Sequence, residues 1–300
     1  MTGPGPPDLP DLGTSETLEG PIRHRSWDGP AGTTFVLVHG LGGSHLNWIQ
    51  VAPSLAGLGR VLVPDLPGFG TTPLEDRSSG VMDLRRDLAA FIAAEATGPV
   101  ILAGNSMGGV LGILQAAVEP ASLDGLILTG SAFPWAAGAM PSPLVMMGFA
   151  AAEVPGLGEA MVRARLRRLR PDQVVALGLR LVTAHPERIP ADVVRLHEDL
   201  VAAQRDRDDV PRAFAGTSRS LVRLARRRDV ARAALDAVAC PTLVLHGRRD
   251  RFVPARFAEA ELARHPEWRG RIFADVGHAP QMEAPGRWVA EVADWLAERR

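Results

Sequence analysis

Residues 99–109 read Pro99-Val100-Ile101-Leu102-Ala103-Gly104-Asn105-Ser106-Met107-Gly108-Gly109, and this stretch decides the fold. Pro99 to Ala103 is a short apolar run bounded by a proline, the mark of a buried strand. Met107 to Val118 is small or apolar almost throughout, as expected of a helix packed closely against a sheet. A strand that runs straight into a helix needs a sharp turn, and that turn lifts its middle residue, Ser106, above the sheet. Gly104 and Gly108, two positions either side, must be small because neighbouring backbone crowds them. Ser106 would then present its hydroxyl at a helix N-terminus, where negative charge is favoured. The competing reading is a glycine-rich turn that does nothing but pack a helix.

Outward from this stretch, strands and helices alternate. Thr34 to Val38, Arg60 to Pro64, Leu126 to Thr129, Pro241 to His246 and Arg269 to Phe273 read as further strands. Helices are predicted over Val81 to Ala96, Pro254 to Arg264 and Pro285 to Ala297; in the first, Val81, Leu84, Leu88, Phe91 and Ile92 recur at helical spacing. Such alternation implies a parallel sheet with crossover helices. From about Pro134 to Asp236 it stops. There helical segments follow one another, among them Asp192 to Arg205, with Val193, Leu196 and Leu200 on one face, and Leu221 to Arg228. The implied division is an α/β core over 21–133 and 237–300, with a helical cap over 134–236 above the strand ends. Residues 1–20, rich in Pro, Gly and acidic side chains, read as a flexible N-terminal segment.

The whole chain narrows the function classes. With 300 residues, 46% of them apolar, and a formal charge of −1, the composition is that of a globular protein able to bury a large core. A near-neutral chain gives no electrostatic reason to expect nucleic acid as a partner. No lysine occurs among the 33 basic residues, which with abundant Ala, Gly and Pro suggests a GC-rich bacterial gene. The single cysteine, Cys240, has no internal disulfide partner and reads as a small core residue. No stretch approaches the about 20 apolar residues of a membrane span. The N-terminus lacks the basic start and apolar run of a signal peptide, so the expected location is cytoplasmic.

A serine hydroxyl is a weak nucleophile and needs a base. His278, in Gly277-His278-Ala279-Pro280, follows the last predicted strand and precedes the last helix, so its loop can reach the sheet edge that carries Ser106. An imidazole base needs a carboxylate to fix its tautomer, and Asp250, shortly after the strand ending at His246, supplies it. Asp275 is the weaker candidate, and Gly130 and Ser131, after the strand ending at Thr129, offer no carboxylate at all. An oxyanion would need N–H donors. Met107 is one; the other is expected from His39-Gly40-Leu41-Gly42-Gly43, with Leu41 ahead of Gly42. His39 itself is read as a buttress for that loop.

Together these features resemble the α/β-hydrolase superfamily, in its serine-nucleophile branch, from about Pro21 to Ala297. Besides the Ser-Asp-His order and the His-Gly-x-Gly-Gly turn, Val63-Pro64-Asp65-Leu66-Pro67-Gly68-Phe69-Gly70 is similar to the family's Asp-x-x-Gly-x-Gly turn, where the Asp is structural. The resemblance implies a mostly parallel eight-stranded sheet with a helical cap inserted after the sixth strand. It also implies a serine esterase or lipase that needs no cofactor. Haloalkane dehalogenases and epoxide hydrolases carry Asp where this chain has Ser106, which sets those chemistries aside. The elbow is also similar to that of meta-cleavage hydrolases, so the alternative is hydrolysis of a C–C bond in a vinylogous diketone. A catalytically silent hydrolase fold that binds a ligand is the third reading.

The expected partner is a small molecule with an apolar acyl or aryl group, held by Gly40, Trp48, Phe133, Trp135 and Met140; Met146, Met147 and Phe149 extend the same apolar stretch. His185, His197 and His265 show no metal-ligand spacing, so no metal is expected. Arg163, Arg165, Arg167, Arg168 and Arg170 read most simply as a solvated helix face, the alternative being a site for acidic substrates or a carrier protein. Oligomeric state is not legible.

Overall fold

The computed structural model describes residues 9–131 and 143–299, the side chains of 143–146 and 148 excepted. One sheet holds β1 Gly13–Thr17, β2 Gly20–Trp27, β3 Thr34–Val38, β4 Arg60–Pro64, β5 Val100–Asn105, β6 Gly125–Thr129, β7 Thr242–Gly247 and β8 Arg269–Phe273. Their order is β1-β2-β4-β3-β5-β6-β7-β8. The β1–β2 and β2–β4 pairs are antiparallel and all others parallel. The helices are α1 Ala52–Ala56, α2 Val81–Glu95, α3 Met107–Val118, α4 Pro143–Glu153, α5 Leu157–Arg168, α6 Pro171–Val182, α7 Ala191–Gln204, α8 Asp209–Arg226, α9 Arg228–Asp236, α10 Ala255–Arg264, α11 Pro280–Glu283 and α12 Pro285–Glu298. Six of them, α4 to α9, intervene between β6 and β7.

Both faces of the parallel strands β3 to β7 are buried, which is why those strands read as nearly continuous apolar runs. Val36, Val38, Leu102, Leu126 and Val244 face α2 and α3 through Leu84, Leu88, Phe91, Leu111 and Leu114. Their alternates, Phe35, Leu37, Ile101, Ile127 and Leu245, face Leu55, Trp288, Val292 and Trp295. The same order places the site. β4 lies on one side of β3 and β5 on the other, so the chain reverses its direction of travel across the sheet between them. At such a switch the loops leaving the carboxyl ends of two neighbouring strands open a crevice. The loops that leave β3 and β5 carry the Gly40–Gly43 turn and Ser106, and register Val38 against Gly104 sets them side by side.

One expectation is corrected. Residues 13–17 are not loose chain but strand β1, paired with β2 from Gly13 against His24 to Thr17 against Gly20. The hairpin escapes sequence reading because β2, Gly-Pro-Ile-Arg-His-Arg-Ser-Trp, alternates buried Ile22 and His24 with polar residues on an antiparallel margin of the sheet. Among the described residues, no helix is long and apolar enough to cross a membrane.

Asp87 on α2 is buried, with Arg77 Nη1 3.8 Å from its carboxylate. Burial pushes its pKa up to about 7, against the opposing charge of Arg77. The folded state therefore holds this proton more tightly than the unfolded chain does, whose Asp titrates near about 3.9. Stability is lost as pH rises through that window and stays lost above it. Asp87→Asn is expected to leave the melting temperature unchanged near pH 4 and to raise it by a few degrees at pH 8; melts at the two pH values check this.

Candidate active site

Ser106 sits between β5 and α3 with φ 54° and ψ −112°, in backbone space that a non-glycine residue rarely occupies. Close packing around the turn holds it there. A Cβ on Gly104 would collide with the Gly108 carbonyl, one on Gly108 with the Val38 carbonyl, and one on Gly109 with the Ser131 hydroxyl. The Ser106 N–H donates to the Thr129 carbonyl at 3.0 Å, and its own carbonyl accepts from Gly109 and Val110. Asn105 Nδ2 donates to the Thr129 carbonyl at 3.0 Å and to the His278 carbonyl at 3.2 Å, tying the elbow to the histidine loop.

The turn after β3 presses against the elbow. A Cβ on Gly40 would lie 3.2 Å from Ser106 Cβ. Leu41, Gly42 and Met107 line the same cavity as Ser106, and among the described residues no acceptor takes the Leu41 or Met107 N–H. His39 is fully buried. The Leu66 N–H donates to its Nε2 at 3.1 Å, so the ring proton sits on Nδ1, 2.8 Å from the Gly40 carbonyl. Burial pushes its pKa down, and a neutral ring with both nitrogens engaged is a buttress. Asp65 holds the neighbouring turn, accepting from the His45 N–H at 2.6 Å, His45 Nδ1 at 2.9 Å, and the Thr71 N–H at 2.7 Å and hydroxyl at 2.8 Å. Burial opposes its ionisation, but the His45 bond and charge outweigh that and hold the carboxyl below its usual range. Gly70 has φ 50° and no room for a Cβ beside that carboxylate, which explains the last glycine of the Asp-x-x-Gly-x-Gly turn.

His278 follows β8 and Asp250 follows β7. Nδ1 of His278 donates to Asp250 Oδ2 at 2.7 Å, with both side chains buried. The other oxygen, Oδ1, accepts from the Phe252 N–H at 2.7 Å and the Val253 N–H at 2.9 Å. Burial would raise the Asp250 pKa, but the His278 charge and the bonds from His246 and His278 hold it well below the usual carboxylate range. The Phe252 ring stacks on the imidazole with centroids 5.0 Å apart. Asp275, the weaker candidate, is paired with Arg188 at 2.8 Å and Arg287 at 2.9 Å on the surface.

Two supports were not foreseen. His246, at the end of β7, places Nε2 2.8 Å from the Val253 carbonyl and 3.2 Å from Asp250 Oδ2. Glu283, on the short helix α11, is buried, and its carboxyl oxygens accept from the N–H groups of Gly277 at 2.8 Å, Ala184 at 3.0 Å and His185 at 2.8 Å. The His278 N–H donates to the Val182 carbonyl at 2.8 Å. The histidine loop is thus bonded to the end of α6, far off in sequence. Glu283 lies five residues after His278, and only that proximity hinted at a role.

Above Ser106 and His278 is a cavity of about 1130 Å³, walled mainly by Val, Leu, Ile, Phe and Met from α3 and from the helices between β6 and β7. Gly40 and Phe149 line it; Phe133, Trp135 and Met140 lie outside the described residues. Trp48 does not line it. That ring is fully buried against Trp288, 5.6 Å between centroids, in the core on the other side of the turn. Its neighbour Asn47 faces the cavity in its place. His197 also lines the cavity, with Nε2 buried and unpartnered, and burial pushes its pKa down to about 4. Among the described residues, no group of three or more His, Cys, Asp or Glu could hold a metal ion.

The Alpha/beta hydrolase family model matches residues 35–292. The chain is a member of the alpha/beta hydrolase family. This α/β-hydrolase is 28% identical to the dihydrolipoyllysine-residue acetyltransferase component of the acetoin cleaving system of Pseudomonas putida; the match covers 88% of the chain but spans only 63% of that protein. It is 29% identical to the 2-hydroxymuconate semialdehyde hydrolase of Pseudomonas sp. (strain CF600), over 98% of this chain and 96% of that one. Among solved structures, a thermophilic esterase from Thermogutta terrifontis superposes with a TM-score of 0.70 at 25% identity, covering 96% of this chain and 98% of that one.

The bonds to Glu283 carry a stability consequence in this α/β-hydrolase. Glu283→Ala would leave three N–H groups without their acceptor, each costing on the order of 1–3 kcal/mol where water cannot reach it. Glu283→Gln keeps one acceptor oxygen. The expected order of melting temperature is wild type, then Gln, then Ala, separated by several degrees in thermal melts.

Proposed function

We propose that this α/β-hydrolase cleaves a carboxylic ester of a small molecule through an acyl-enzyme on Ser106. The observation that carries the reading is the 2.7 Å bond from His278 Nδ1 to a buried Asp250, made in the wall of the cavity that Ser106 shares. With Nδ1 engaged, Nε2 is the nitrogen left to take the Ser106 proton. Ser106 Oγ attacks the ester carbonyl and Nε2 accepts its proton, while the Leu41 and Met107 N–H groups hold the oxyanion. Collapse expels the alcohol, which takes the proton from His278. Water, deprotonated by the same nitrogen, then attacks the acyl-enzyme and releases the acid and free Ser106. Asp250 stays ionised throughout and stabilises the imidazolium. Helices α4 to α9 act as a cap, excluding water and shaping an apolar acyl or aryl pocket. No step calls for a cofactor.

A second reading keeps Ser106, His278 and Asp250 and changes the bond, to C–C hydrolysis of a vinylogous diketone. The relative in Pseudomonas sp. (strain CF600), matched over nearly its whole length, favours it. A panel of short aryl esters against ring-cleavage dienones separates the two. Ester turnover is expected, falling about 10⁶-fold in Ser106→Ala and about 10⁴-fold in Asp250→Asn. Dienone turnover without ester turnover would move the assignment to the second reading. A wild-type protein inert to both substrates and unlabelled by a fluorophosphonate would leave a ligand-binding fold.

A further inference from the structure

The arginine-rich stretch that runs from α5 to the start of α6 does not form one face. Arg163 and Arg167 reach Asp208 at 3.3 and 4.0 Å, and Arg170 pairs with Asp172 at 2.5 Å, all three on the outer surface. Arg165 lies two residues from Arg163 and from Arg167, about 200° around the helix, and is turned inward. It lines the cavity that holds Ser106 and His278.

Its bonding there is incomplete. Nη2 donates to the Val174 carbonyl at 3.0 Å, while Nε is buried with no acceptor. Among the described residues no carboxylate pairs with the guanidinium; burial alone acts on it, lowering its pKa. The other cavity arginines differ. Arg226 is bonded to Glu153 at 2.7 Å, and both Arg226 and Arg228 are exposed. Val174, Val175, Leu179 and Leu181 of α6 give apolar lining to the same cavity. Gly178 lies beside Arg165: a Cβ there would stand 3.8 Å from Nη2.

A guanidinium keeps its charge at any ordinary pH, so its partial burial in an apolar wall without a counter-charge is unfavourable until an anion arrives. Its planar fork matches a carboxylate, two oxygens against two N–H groups. A phosphate dianion would call for a second cation, and no other charged group acts on Arg165.

We propose that Arg165 anchors a carboxylate subsite, and that the substrate is an ester carrying a free carboxylate remote from its scissile carbonyl. The ester part rests on the function proposed above; the carboxylate part does not. Two measurements on the full chain keep them apart. In the first, Ser106→Ala protein is titrated calorimetrically with monoamides of α,ω-dicarboxylic acids of graded length, each beside its diamide. At the best length the acid is expected to bind about tenfold more tightly than the diamide. Adding Arg165→Gln should bring that ratio to about one, and Arg165→Lys, which keeps the charge but not the fork, should leave it in between. A merely structural Arg165 would weaken acid and diamide alike and leave the ratio unchanged. That result, or no acid preference at any length, overturns the subsite.

In the second, nitrophenyl hemi-esters of the same diacids are compared with their methyl-capped forms. The wild type should favour the hemi-ester about tenfold in kcat/KM, mostly through KM, and Arg165→Gln should abolish the preference. Esters cleaved with no such preference would sink the subsite and leave the esterase reading standing. No ester cleaved, with acid binding still dependent on Arg165, would do the reverse.

Discussion

The close approach of three backbone segments at Ser106 is the constraint on which the rest of the molecule depends. β5 and α3 meet with no intervening loop, so Ser106 takes φ 54°, and Gly108 lies against the Val38 carbonyl of the neighbouring strand. Backbone in such a region costs on the order of 1–3 kcal/mol. It persists because α3 is buried along almost its whole length and its first turn packs backbone to backbone on the strands. The strained turn is therefore held by the core together with its bonds to Thr129 and to the first turn of α3.

From that point the site is assembled by adjacency in the sheet. β3 beside β5 brings the Gly40–Gly43 turn against the elbow, and β6 beside β5 supplies the Thr129 carbonyl that takes the Ser106 N–H. β7 and β8 deliver Asp250 and His278 from the same ends of their strands. Each loop is then locked by buried polar groups that are themselves bonded: Asp65 under the first turn, Asn105 between elbow and histidine loop, and Glu283 between that loop and the end of α6. Unpaired, these groups would be costly; paired, they fix geometry that apolar packing alone leaves adjustable. Core and inserted helices consequently meet in a bonded seam directly behind His278.

β3 to β7 and helices such as α2 and α7 were legible because burial leaves plain periodicities, apolar runs for strands covered on both faces and three-to-four spacing for helices. Ser106, Asp250 and His278 stand out in the sequence as candidates for a related reason. Each stands just past a strand end, where a residue that packs nothing is conspicuous. Asp65 and His39 could be read as structural, and their partners in the fold explain why: the carboxylate is saturated by donors and the imidazole has no free nitrogen. Hairpin β1–β2 was not legible, since a partly polar antiparallel margin strand shows no such run.

What the sequence determined by itself was thus the α/β architecture, together with the positions proposed to carry the chemistry, because hydrophobic period and turn chemistry are local properties. The direction in which a side chain points across a helix, and what it meets, is not local. Trp48 faces Trp288 in the core rather than the cavity, and Arg165 leaves its neighbours on the outer face to enter it. Glu283 gathers three N–H groups, one from the nearby histidine loop and two from the loop after α6, 98 and 99 residues away. Only the tertiary structure decided these, since each depends on contacts between segments tens to hundreds of residues apart, for which the chain carries no periodic signal.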